Sequence, residues 1–139
     1  MKSMKLAFLY FLLAYIMSSI VNLVFYYFNT TVMCIAMFAL VALIFGYFFY
    51  LYLKRTKCDL ARTLKETNLL IVFWILASLL LDGIIYILIF PLLYGYNPTW
   101  VFFTDQIAWL CFNYGMIIIV GYISRYLYVR RLKKFRKPD

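Results

Sequence analysis

The sequence predicts an all-α integral membrane protein, a four-transmembrane-helix antiparallel bundle with its N- and C-termini cytoplasmic. Three observations carry that prediction. Of the 139 residues, 68% are hydrophobic and 22% aromatic, and the mean hydropathy is +0.92; a soluble domain is only roughly half apolar. A soluble chain of this length leaves too much surface in water to hide so many apolar side chains, so lipid must be their solvent. The apolar residues also fall into four runs, each long enough, at roughly 1.5 Å per residue, to cross a hydrocarbon core of roughly 30 Å.

The third observation is where the 14 basic residues sit. Lys2 and Lys5 precede the first run; Lys54, Arg55, Lys57, Arg62 and Lys65 lie between the second and third; the rest run from Arg125 to Lys137. The other two connections contain none. By the positive-inside rule this alternation puts the N-terminus, the middle loop and the tail on the cytoplasmic side of the plasma (inner) membrane. The net charge of +9 thus reads as topology. Nucleic acid is not an expected partner, because no soluble domain organises the cations into a groove-binding surface.

One membrane domain, 1–139, is expected, with helices over about 6–28, 32–53, 69–93 and 101–129, a cytoplasmic loop 54–68 and a basic cytoplasmic tail 130–139. The first run follows two lysines, as a signal peptide would, but it is too long for a signal core and no small-residue cleavage site follows; it reads as a retained helix. Asn29, Thr30 and Thr31 form a turn short enough to make helices 1 and 2 antiparallel neighbours and to cap helix 2. Helix 2 carries no charged or amide side chain and reads as scaffold packed outside any polar seam. Its Ala42 and Gly46 form a small-xxx-small pair, the expected contact face of a homodimer. In the loop, Leu60, Ala61 and Leu64 have helical spacing and suit the headgroup layer. Helix 3 leaves the membrane around Pro91, and Asn97 followed by Pro98 reads as the cap and first turn of helix 4, with Thr104 as the alternative cap. Tyr26, Tyr27, Tyr94, Tyr96 and Trp100 are expected to mark the outer interface, and Tyr50, Tyr52, Trp74, Tyr126 and Tyr128 the inner one, as aromatic belts.

Absences narrow the chemistry. There is no histidine, which removes His-ligated haem and the Ser-His-Asp triad. Cys34, Cys58 and Cys111 form no CxxC pair, which argues against a zinc site or dithiol chemistry. No metal and no cofactor are expected. The chain reads as holding one deep acid and no second buried charge, so catalysis is the least expected class and the protein is read as no enzyme.

That acid is Asp82, near the centre of the third apolar run. A carboxylate at this depth costs about 2.5–3.5 kcal/mol on insertion scales, so it must meet partners, water or a proton. Ser78, Asp82 and Tyr86 recur at i, i+4 and i+8 along one stripe. Helix 1 offers Tyr15, Ser18, Ser19, Asn22 and Tyr26; helix 4 offers Gln106, Asn113, Gly121 and Ser124. A polar seam where helices 1, 3 and 4 meet is therefore expected, with Asp82 at its floor, Asn22, Asn113, Tyr86 and Ser78 along its wall, and Asp105 at an outward mouth. Such a seam suits binding or transport of a small cationic or amphiphilic molecule, or a lipid-binding crevice; against these stands the ordinary role of Ser, Asn and Tyr as interhelical glue that only fixes the packing. The alternative is a non-catalytic accessory or structural subunit of a larger membrane complex, with Asp82 satisfied by a partner chain. Arg130, Arg131, Lys133 and Lys134 in the tail are expected to meet anionic lipid headgroups at about 1 kcal/mol per residue.

The charge pattern makes a direct prediction. Reporter fusions at the C-terminus and within 54–68 report a cytoplasmic location, and one within 94–100 reports the opposite side. Opposite sides for the first two would overturn the even number of crossings.

Overall fold

The computed structural model describes the backbone of residues 1–26, 31–105 and 107–135, with side chains at all of these except 22–26, 31–34, 37, 102, 109 and 135. Helix α1 covers Met4–Tyr26, α2 Thr31–Arg55 and α3 Thr63–Gly83. A π-helical segment, Ile84–Ile89, and a last turn α4, Phe90–Leu93, continue α3. Then come α5, Val101–Asp105, and the long α6, Ile107–Phe135. Among the described residues there is no strand, and 4 helices are long and apolar enough to cross a membrane. The expected turn at Asn29 and Thr30 lies outside the described residues, as do Tyr27 and the side chains of Thr31, Cys34, Asn22, Tyr26 and Gln106.

All four spans are longer at the basic end than expected, the third and fourth most of all. The third begins at Thr63 instead of 69, because both the Thr63 amide (3.0 Å) and its hydroxyl (2.7 Å) donate to the Asp59 carbonyl and close a first turn inside the loop. The fourth continues to Phe135, so the tail starts as helix, with Lys133 and Lys134 in its last turn, where cations meet the negative end of the helix dipole.

The far end of the third span is shaped by Pro91. A proline inside a helix has no N–H to give and crowds the carbonyl four residues earlier. Here that carbonyl belongs to Ile87, within the π-helical segment, and it accepts instead from the Thr99 amide at 3.2 Å. The wider π turn makes room for the ring, and the connection folds back to satisfy the freed oxygen. The helix then stops at Gly95, whose φ of +76° is one glycine adopts without strain. The Tyr96 amide donates to the Pro91 carbonyl (2.8 Å) and the Gly95 amide to that of Leu92 (3.2 Å), the paired bonds of a Schellman motif. The expected caps of the fourth span are corrected. Thr99 Oγ1, not Asn97, accepts from the Val101 amide (3.4 Å), while Thr104 donates its hydroxyl back to the Val101 carbonyl (2.9 Å).

Helix α2 is not peripheral. It packs along both α1 and α6, while α3 meets α6 and, more sparingly, α1. The buried positions of α1, Ala7, Phe11, Ala14 and Ser18, recur every three or four residues, as one face of a helix must. Leu9, Leu13, Ile16 and Ile20 on the other faces are exposed and suit lipid. Tyr52, Tyr128 and Trp74, expected in the aromatic belt, are buried instead, and at the centre stands Trp74 of α3. Its ring lies 6.1 Å from Phe11 of α1 and 5.7 and 5.0 Å from Phe45 and Phe49 of α2, mostly edge-on, as aromatic quadrupoles prefer. The indole N–H donates to the Ala7 carbonyl at 3.3 Å.

Small residues set the approach of α6. A methyl group on Gly46 would sit 3.0 Å from Val120 and 3.6 Å from Ser124, and the Ser124 hydroxyl donates to the Gly46 carbonyl at 3.0 Å. The Gly46 face expected to meet a second copy is thus occupied by α6 of the same chain. Gly121 is tighter: its added methyl would lie 2.8 Å from Ile71 Cγ1 and 3.1 Å from Phe49. Gly121→Ala is expected to destabilise the fold by about 1–3 kcal/mol. Gly115→Ala, with nothing within 4 Å, should be neutral or slightly stabilising. Thermal unfolding in detergent separates the two, and equal effects would contradict this packing.

Candidate functional site

Asp82 sits on the buried face of α3, which runs through Leu70, Trp74 and Ser78, and is itself 9% exposed. Two other helices reach it. The Tyr15 hydroxyl of α1 donates to Asp82 Oδ1 at 2.7 Å, and the Tyr114 hydroxyl of α6 donates to Oδ2 at 2.9 Å. One carboxyl group therefore joins three spans, each oxygen accepting one phenol and keeping further acceptor capacity. Both distances lie in the ordinary range of O–H···O hydrogen bonds.

The expected seam is present in part. Tyr15 and Asp82 meet, and Ser78 is buried one turn nearer the basic end. Asn113 is half-buried, but its neighbour Tyr114 makes the α6 contact; the long phenol crosses the gap to α3, and successive helical side chains point about 100° apart. Tyr86 is half-buried one turn beyond Asp82, its ring stacked on Phe90 at 5.4 Å and 19°. Asp105 is exposed at the end of α5, which packs on the π-helical segment and α6. Asn22, expected in the wall, lies on α1, and its side chain is outside the described ones. Ser19 points away from the interior and donates to the Tyr15 carbonyl at 2.8 Å, whereas Ser18 is 5% exposed and its Oγ finds no hydrogen-bond partner among the described residues. Ser18 and Tyr15 share one face of α1, three residues apart. An unsatisfied buried hydroxyl costs about 1–3 kcal/mol.

Toward the basic end the site is closed. Trp74 lies eight residues before Asp82, roughly 12 Å along the helix, and with Phe11, Phe45 and Phe49 it fills the space between α1, α2 and α3. Ser124, placed in the same seam from sequence, lies on the far side of that plug and serves as glue to α2.

The expectation of a single buried acid is corrected by Glu66, which is 8% exposed on the same α3 face. It accepts from the Tyr52 hydroxyl at 3.2 Å and lies 4.0 Å from the Met1 ammonium. The spacing Glu66, Leu70, Trp74, Ser78, Asp82 would have shown it, had the buried face been extended back into the loop. At this end Lys2 Nζ donates to the Thr56 (3.2 Å) and Lys57 (2.9 Å) carbonyls, and the Tyr128 hydroxyl to that of Cys58 (3.0 Å). Burial pushes the Cys58 thiol above its usual range, so it stays protonated at neutral pH. Arg130, Arg131, Lys133 and Lys134 are exposed on the last turns of α6, and Arg131 donates to the Tyr50 hydroxyl at 2.9 Å.

No protein-family model matches the chain, and neither a curated protein nor a solved structure matches it. The fold and site define an all-helical, membrane-embedded helix bundle with a tyrosine-bound acid among its spans.

If the two phenols hold Asp82 in place, Tyr15→Phe and Tyr114→Phe each cost about 1–2 kcal/mol. The double variant costs more than the sum, since the second loss strips a buried carboxylate of its described donors. Unfolding in mixed micelles measures the cycle; two single variants indistinguishable from the parent would remove the bridge from the account.

Proposed function

We propose that this chain is a non-catalytic plasma (inner) membrane protein, an antiparallel four-helix bundle with cytoplasmic termini. In this reading it binds, or moves, a small cationic or amphiphilic molecule at the seam around Asp82. The observation that carries it is the buried Asp82 carboxyl group, bound by Tyr15 and Tyr114 from two other spans. A negative group in a low-dielectric setting attracts a cation far more strongly than in water. The rings of Tyr15 and Tyr114, with Tyr86 one turn on, add faces on which an organic cation is favoured by about 0.5–2 kcal/mol.

The closure by Trp74 supports entry from the end opposite the basic loops. Binding needs no rearrangement of that plug, whereas passage across the membrane requires it to open. The accessory-subunit alternative gave Asp82 a donor from a partner chain, a role that Tyr15 and Tyr114 fill from within the chain. The basic end, in contact with anionic lipid, orients the protein in the membrane.

Tetraphenylphosphonium, a permanent lipophilic cation, is a direct probe. Calorimetry in detergent is expected to show saturable binding that Asp82→Asn weakens by at least about tenfold, or about 1.4 kcal/mol. A neutral amphiphile of similar size should be little affected by the substitution. Equal affinity of parent and Asp82→Asn for the cation would end this reading.

A further inference from the structure

The basic end holds a second feature that the Asp82 site does not explain. Between the α2–α3 connection and the last turns of α6 lies an open groove of about 1060 Å³. Four cations line it, Lys54 and Lys57 on one side and Arg131 and Lys133 on the other, against the single carboxylate of Asp59. The cations come from segments far apart in sequence, and the groove exists because the two are fastened together. The Tyr128 hydroxyl is bound to the Cys58 carbonyl at 3.0 Å, and Arg131 donates to Tyr50 at 2.9 Å. Lys57 adopts φ +44°, a left-handed conformation uncommon for a side-chain-bearing residue, and its carbonyl is held by Lys2. The turn that presents Lys54 and Lys57 is thereby kept in shape.

We infer that this groove holds the phosphate of one anionic glycerophospholipid from the adjoining leaflet. Charge complementarity calls for an anion, and position selects a lipid. The membrane-spanning stretches on either side end at Arg55 and Lys134, so the groove lies at the membrane boundary. Its walls also include Leu60, Ala61 and Leu132, apolar surface that suits the glycerol and upper acyl carbons while the cations meet the headgroup. The proposal deepens the expected contact of the basic tail with anionic lipid, moving it from a diffuse cluster to a site that needs the α2–α3 connection. It stands apart from any ligand at Asp82.

The test uses the full chain in a neutral detergent with dihexanoyl phosphatidylglycerol, dihexanoyl phosphatidylcholine and inorganic phosphate, read by thermal shift and by native mass spectrometry. The phosphatidylglycerol should bind one per chain and raise Tm, with no such effect from the other two. Lys54→Gln with Lys57→Gln should weaken binding about fivefold for each lysine removed, corresponding to about 1 kcal/mol apiece. Lys54→Arg with Lys57→Arg should retain it. Arg130→Gln with Lys134→Gln removes equal charge outside the groove and should weaken binding less. Equal losses in the two Gln pairs would reduce the site to diffuse surface charge. Equal protection by phosphatidylcholine or by phosphate would overturn the lipid assignment, and none of these results bears on the Asp82 reading.

Discussion

A carboxylate near mid-membrane depth has few ways to persist, and in this chain the two phenols of Tyr15 and Tyr114 supply one of them. Because those phenols belong to α1 and α6, the cost of burying Asp82 is met only when three spans come together. Lipid cannot drive helices together by hydrophobicity, since acyl chains are as apolar as leucine; polar bonds and close packing must select the arrangement. The Asp82 bridge acts on the half of the bundle away from the basic loops. Tight contacts at Gly46 and Gly121 act on the other half.

The interior is accordingly of two kinds along its length. Near the basic loops it is aromatic, with Trp74 surrounded by Phe11, Phe45 and Phe49, and sealed at its end by Tyr52, Glu66 and the carbonyl bonds of Lys2 and Tyr128. Beyond Trp74 it turns polar: Ser18, Ser78 and Asp82 are buried, and Tyr15 and Tyr114 bind Asp82. There the third span also departs from α geometry, since Pro91 is accommodated by a π-helical segment that starts two residues after Asp82. Wider turns of this kind recur at functional sites, and here one adjoins the acid that two phenols bind.

Composition was enough to mark four helices long and apolar enough to cross a membrane, because hydropathy is summed over some twenty residues and needs no knowledge of neighbours. Asp82 stood out for the same reason: its depth follows from counting along one run. Partner choice could not be read that way. Whether Asn113 or Tyr114 faces α3, whether Gly46 meets α6 or another copy, and whether Glu66 lies in a loop or under Tyr52 depend on the rotation of each helix about its own axis. In an all-apolar sequence little marks that rotation, since lipid-facing and protein-facing positions carry the same residue types. Tertiary packing decided it, through the small residues that admit close approach and the few polar side chains that had to find one another across helices distant in sequence.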